Sequence, residues 1–166
     1  CACKDFQQPL IRLERPVEQH YKAILIKDFK DLERFDLRGE RLLFAVGSRH
    51  LKRACLSAYK AGAEVFARIL ANPESFRDAL ASSIPENHLA LLNPSKVNSS
   101  DQFEEALCRK WSITSVVCRQ SGGVTEELWQ SICRKNDLKL WMISRPPCPR
   151  EIFTVDSIDK LLNYLK

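Results

Sequence analysis

Four apolar runs in this chain of 166 residues end in cations and turn formers. Leu42 to Val46 leads into Gly47-Ser-Arg-His50, and His88 to Leu92 into Asn93-Pro-Ser-Lys96. Ile113 to Cys118 leads into Arg119-Gln-Ser-Gly-Gly123, and Leu138 to Ser144 into Arg145-Pro-Pro147. Guanidinium groups form forked hydrogen-bonded pairs with phosphate and carboxylate, and lysine adds a point charge. Ser121-Gly122-Gly123 follows an apolar run and precedes a helical pattern, so the backbone can approach an anion at the positive end of that helix. Thr125 stands where the helix should start and can accept its free amide hydrogens. The candidate anion-binding set is therefore Gly47, Ser48, Arg49, Lys96, Arg119, Ser121, Gly122, Gly123, Thr125 and Arg145. Two plainer readings stand beside it. Surface loops are polar in any protein, and 26 basic residues give room for coincidence. A Gly-Gly pair also makes an ordinary strand-to-helix turn.

Other chemistries lack their residues. No G-x-G-x-x-G, Walker loop or G-x-S-x-G elbow occurs, which removes the standard dinucleotide, nucleoside triphosphatase and hydrolase signatures. His20, His50 and His88 show neither helical pairing nor a nearby carboxylate that would mark a general base, so no catalytic residue is assigned. Cys1-Ala-Cys3 lacks the spacing of a zinc knuckle and has no partners to complete four ligands, so no metal site is expected. The seven cysteines are odd in number and sit in apolar or helical stretches. They are expected to be free thiols of a cytoplasmic protein.

The elements that would position the basic ends alternate. Apolar runs at 41–46, 64–70, 88–92, 113–118 and 138–143 read as strands, several of them nearly continuous, as strands covered on both faces must be. Helical patterns at 50–61, 73–82, 101–110, 124–135 and 156–165 lie between and after them, with Asp101, Thr125 and Asp156 as expected starts. Ala23 to Ile26 and Asp28 to Phe35 read as a lead-in strand and helix. The expected fold is α/β: an open parallel sheet of about five strands with helices on both faces, Rossmann-like or flavodoxin-like. Residues 1–16 read as a junction segment and 17–166 as one α/β domain. In such sheets ligands bind beyond the carboxyl ends of the strands, where the basic residues fall.

The formal charge of +5 is mild and not gathered into one stripe, which argues against a nucleic-acid partner and for a small anionic ligand. The longest apolar runs are far short of the ~18 residues of a membrane-spanning helix. The chain begins at Cys1 without a leader pattern and is expected to have been cut from something longer.

Read in order, several segments resemble the precorrin-6A and cobalt-precorrin-6A reductase family of cobalamin biosynthesis. They are Leu10-Ile-Arg-Leu-Glu-Arg-Pro16, Phe44-Ala-Val-Gly-Ser48, Val65-Phe-Ala-Arg-Ile-Leu70 with Pro73-Glu-Ser75, Val116-Val-Cys-Arg-Gln-Ser-Gly-Gly123 and Ile143-Ser-Arg-Pro-Pro147. Two places depart from the family pattern: Cys118-Arg119 replaces its Thr-Lys, and Asn93 to Ser100 replaces a G-P-F-S-like stretch. The family also carries a preceding half of roughly eighty residues, so the resemblance is to its carboxyl-terminal portion. It implies an oxidoreductase that moves hydride from NADPH or NADH to one double bond of an anionic tetrapyrrole, a precorrin-6A-like substrate, in a cleft between two α/β halves. A separate amino-terminal half is then an expected partner. The alternative is a non-catalytic anion-binding or interaction domain that kept the scaffold after losing that half.

Overall fold

The computed structural model describes residues 6, 10–16, 22–92, 100–147 and 152–165. Its strands are β1 (Ile11–Leu13), β2 (Ala23–Ile26), β3 (Arg41–Phe44), β4 (Glu64–Leu70), β5 (Leu89–Leu92), β6 (Ser115–Arg119), β7 (Lys139–Ile143) and β8 (Phe153–Val155). The helices are α1 (Leu51–Lys60), α2 (Pro73–Leu80), α3 (Ser100–Lys110), α4 (Val124–Lys135) and α5 (Ile158–Leu165). A 3-10 helix spans Phe29–Arg34 and is closed by a capping box between Asp28 and Asp31.

Six strands form one sheet in the order β2-β7-β6-β3-β4-β5, every neighbouring pair parallel. The rhythm of apolar runs read five of them as the sheet. The sixth is the lead-in strand β2, which pairs Ala23 to Ile26 with Leu140 to Ile143 and lies at one edge. Alternation explains the two-sided core. Leu42, Phe44, Val65, Ala67, Val117 and Trp141 point to one face, against α1, α2 and the 3-10 helix. Leu43, Phe66, Val116, Cys118, Leu140 and Met142 point to the other, against α3 and α4. Successive strand residues face opposite ways, so a strand buried on both faces needs an unbroken apolar run.

Helix starts follow local chemistry. Asn72 accepts from the Ser75 amide at 2.8 Å, with Pro73 in the first turn, and this begins α2. Two expected starts move. Gly123, not Thr125, is the residue before α4, and at α5 the Ser157 hydroxyl receives the Lys160 amide while Asp156 pairs with the Lys160 ammonium. The side chain of Asp101 and all of Lys96 lie outside the described residues.

β1 and β8 form a separate parallel pair, with Ile11 opposite Phe153 and Leu13 opposite Val155. The end of the chain thus returns to the junction segment and not to the six-stranded sheet.

Candidate functional site

The chain runs outward from β3 to β4 and β5, then crosses over α3 to β6 on the other side of β3, and continues to β7. The strand order therefore reverses between β3 and β6. At such a reversal the two connections leave the sheet in opposite directions and open a crevice at the carboxyl edge. Gly47 to His50 follow β3, Arg119 to Gly123 close β6, and Arg145 lies two residues past β7. Because the sheet is parallel, all three sets share one edge, as the sequence pattern requires.

The charges at this edge differ in their pairing: Arg145 meets Glu14 and Arg53 meets Asp28, whereas Arg49 and Arg119 have no ion pair among the described residues. Burial and the neighbouring charges of Arg119, Arg49 and Arg53 hold the His50 imidazolium pKa below its ordinary value. Arg49 and Arg119 are exposed and make no ion pair among the described residues. The opposite edge differs. There Arg41 donates to Glu64 and to the Trp111 carbonyl, and Glu40 receives Lys139, Thr114 and the Ser115 hydroxyl. Arg41 and Lys139 at the amino edge are thus paired within the fold, while Arg49 and Arg119 at the carboxyl edge make no ion pair among the described residues. A Cβ at Gly47 would meet no atom of the described residues within 4 Å. Ser48 is committed, its hydroxyl donating to Asp78 at 2.8 Å.

The Ser121-Gly122-Gly123 turn is used differently from the simplest expectation. Glu126, buried in the first turn of α4, receives the amides of Ser121 and Gly122, the second at 2.6 Å. Its carboxylate takes the place that an external anion would have at those two amides. The amides of Gly123, Val124 and Thr125 donate to no group among the described residues. Gly122 has φ +63, and a Cβ there would stand 2.7 Å from Arg145 Nη2 and 2.8 Å from the Pro16 carbonyl. Arg15 lies over Gly123. These two glycines make room for the chain's own junction segment.

Arg145 is a clamp. Its guanidinium donates to Glu14, to the Arg15 carbonyl at 2.6 Å and to the Gln120 carbonyl at 3.3 Å, while Nη2 is buried without a partner among the described residues. It fastens β1 to the end of β7. The signal for Glu126 was present in the sequence: an acid at the third helical position reaches back to amides ahead of its helix. The partner of Arg145 lies 131 residues away and left no local trace.

The remaining candidates are structural. His88 contacts the Val65 carbonyl at 3.0 Å through Nδ1 and stacks on Phe66 at 4.1 Å. His20 lies outside the described residues. Cys55, Cys108, Cys118 and Cys133 are free and buried, and burial raises their pKa values, to about 12, 11 and 12 for the first three. Cys1, Cys3 and Cys148 lie outside the described residues.

The six-stranded parallel sheet with helices on both faces is an open α/β fold of the Rossmann-like class. A family model described as precorrin-6x reductase CbiJ/CobK matches residues 1–166, and the chain belongs to that family. It is 34% identical over 149 residues to a cobalt-precorrin-6A reductase of Synechocystis sp., covering 86% of this chain and 55% of the relative. It is 24% identical over 169 residues to the cobalt-precorrin-6A reductase of Methanocaldococcus jannaschii, covering 99% of this chain and 64% of the relative. The chain thus spans rather more than half the length of these relatives. A solved structure described as CobK precorrin-6A reductase superposes with a TM-score of 0.73 at 20% identity, over 99% of this chain and 64% of that one, which shows the shared fold.

Proposed function

We propose that the chain forms the ligand-binding α/β unit of a reductase that transfers hydride from NADPH or NADH to one double bond of a polycarboxylated, precorrin-6A-like tetrapyrrole. The observation that carries this reading is the pair of exposed arginines, Arg49 and Arg119, which make no ion pair among the described residues and flank the point where the strand order reverses. Phosphates of a dinucleotide and the acetate and propionate groups of the ring are both anions that guanidinium groups hold well. The hydride itself is supplied by the nicotinamide when it is bound. Arg119 and Arg49 would hold an anionic group at the carboxyl edge, and the amides of Gly123, Val124 and Thr125, which donate to no group among the described residues, would face it from α4. Ser121 and Gly122 shape the turn through Glu126, and Arg145 holds the junction segment against it. The reading places the chain in the cytoplasm, where such a cofactor is available.

A second reading, a non-catalytic anion-binding domain, draws on the inward use of Glu126 and Arg145, which removes two of the expected ligand contacts. Isothermal titration with NADPH and with a uroporphyrin-like polycarboxylate, followed by NADPH oxidation in the presence of the corrin precursor, separates the two. Arg119→Ala should weaken anion binding by about 1.5–3 kcal/mol, the range for a hydrogen bond to a charged group. Arg109→Ala is the control, since Arg109 is exposed on α3 and paired with Glu105. Equal affinities of wild type and Arg119→Ala would remove the switch point from the site. Binding without any turnover would favour the second reading.

A further inference from the structure

A further cation stands at the carboxyl edge, on β4. Ala67 and Val117 both lie opposite Phe44, so Arg68 and Cys118 are the first residues of β4 and β6 beyond the end of β3. Successive strand residues face opposite ways. Arg68 therefore follows Phe66 onto the α3 and α4 side of the sheet, whereas Arg119 follows Val117 onto the α1 side. Ala45, which continues β3 between Arg68 and Cys118, is only half-buried although β3 is an interior strand. Packing does not close this side of the edge.

Arg68 is held from one end. Its Nε is buried and lies 3.2 Å from Oε1 of Glu104 on α3, an ion pair without the alignment of a hydrogen bond. The Glu104 side chain is 4% exposed, and Arg68 is its ionic partner among the described residues. The terminal nitrogens of Arg68 donate to no group among the described residues, and 21% of its side chain is exposed. Arg41, on the same side of the sheet at the amino edge, is fully engaged by contrast. Its Nε donates to the Trp111 carbonyl at 2.6 Å, Nη1 donates to Glu64, and the guanidinium lies 4.7 Å over the Phe66 ring. Two charges withdrawn from water for one unaligned contact stabilise a fold poorly, and apolar side chains of similar volume would do as well. What the pair does fix is the direction of a guanidinium.

We infer that Glu104 positions Arg68 as a third cation of the edge, which receives a ring carboxylate of the tetrapyrrole on the α3 side while Arg49 and Arg119 serve the α1 side. β3 separates Arg68 from Arg119, two strand spacings or about 10 Å across the sheet. A single phosphate fits one side of that gap, whereas a macrocycle with carboxylates around its rim reaches both. The inference rests on the tetrapyrrole reading of the function and adds to it the residue that tells the ring from the dinucleotide.

The test is isothermal titration of the chain with uroporphyrin and, separately, with NADPH. Arg68→Met with Glu104→Met removes both charges and leaves no buried ion unpaired, so the thermal midpoint should hold or rise. Its uroporphyrin affinity should nonetheless fall about tenfold or more, as the loss of a hydrogen bond to a charged group requires, with NADPH affinity unchanged. Arg68→Lys, which keeps the charge and loses the fork, should fall between. Glu104→Gln, which leaves the cation but loosens its hold, should weaken uroporphyrin binding alone. Full uroporphyrin affinity in the double variant, with Arg119→Ala still weakening it, overturns the role of Arg68 and leaves the switch point standing. Loss of NADPH binding in its place gives Arg68 to a dinucleotide phosphate and overturns the ring assignment. If the double variant does not fold, full uroporphyrin affinity in both Arg68→Lys and Glu104→Gln overturns the inference. Absence of uroporphyrin binding by the unsubstituted chain overturns it together with the tetrapyrrole reading.

Discussion

Gly122 shows how one position can be occupied for a reason other than the one its motif suggests. The Gly-Gly pair reads from sequence as an approach of backbone to an anion; the groups found against it are Arg15, Pro16 and Arg145. An alanine at Gly122 would have to hold φ +63 and also displace the Pro16 carbonyl. Gly122→Ala should therefore lose roughly 1–3 kcal/mol of stability, the cost of a strained residue, read as a lower urea midpoint with unchanged slope. Arg145→Ala should loosen the same region by freeing Glu14 and β1, seen as faster amide exchange at Ile11 to Leu13 with little change in β3. The converging cations Arg49 and Arg119 could be read from sequence because each directly follows an apolar run. The inward turn of Glu126 and the clamp of Arg145 depend on side-chain reach and long-range pairing, which spacing does not record.

At the scale of elements, the apolar runs located β3 to β7 within one or two residues because strands buried on both faces carry a signal no loop shares. α4 was read at its observed limits, 124–135, framed by Gly123 and Asn136. β1 and β8 were missed as strands: three residues hold barely more than one alternation, and the pair joins segments at opposite ends of the chain. α5 was read correctly as amphipathic, but its apolar stripe faces outward. The buried helices behave otherwise. Trp129, 1% exposed on α4, fills the space between α4 and the β6–β7 face, so Trp129→Ala should cost about 3–5 kcal/mol by urea unfolding. That loss far exceeds any expected at Leu162 on α5.

The whole molecule should be sensitive to acid. Hydrogen bonds from Lys139, Thr114 and Ser115 outweigh the burial of Glu40 and hold its carboxyl below the ordinary value, and Arg12 and Arg145 do the same for Glu14. A carboxyl group whose folded pKa is depressed stabilises the fold above its unfolded value and loses that contribution as pH falls through the folded one. The thermal midpoint should therefore decline below about pH 4.5, the unfolded carboxylate range. His50 adds an earlier step with the same sign. Its folded pKa lies below the unfolded one, so protonation below about pH 6.5 favours the unfolded chain.

His50 also reports directly on the crevice. Burial, and after it the charges of Arg119, Arg49 and Arg53, depress its pKa, so an anion that neutralises those charges works to raise it. The deciding measurement is the titration of the His50 ring by NMR with and without saturating NADPH, assigned by its loss in His50→Gln. An upward shift of the His50 pKa is expected on binding, reduced in Arg119→Ala. Binding of NADPH that leaves the His50 titration unchanged would place the ligand elsewhere and contradict the assignment of the switch point as the site.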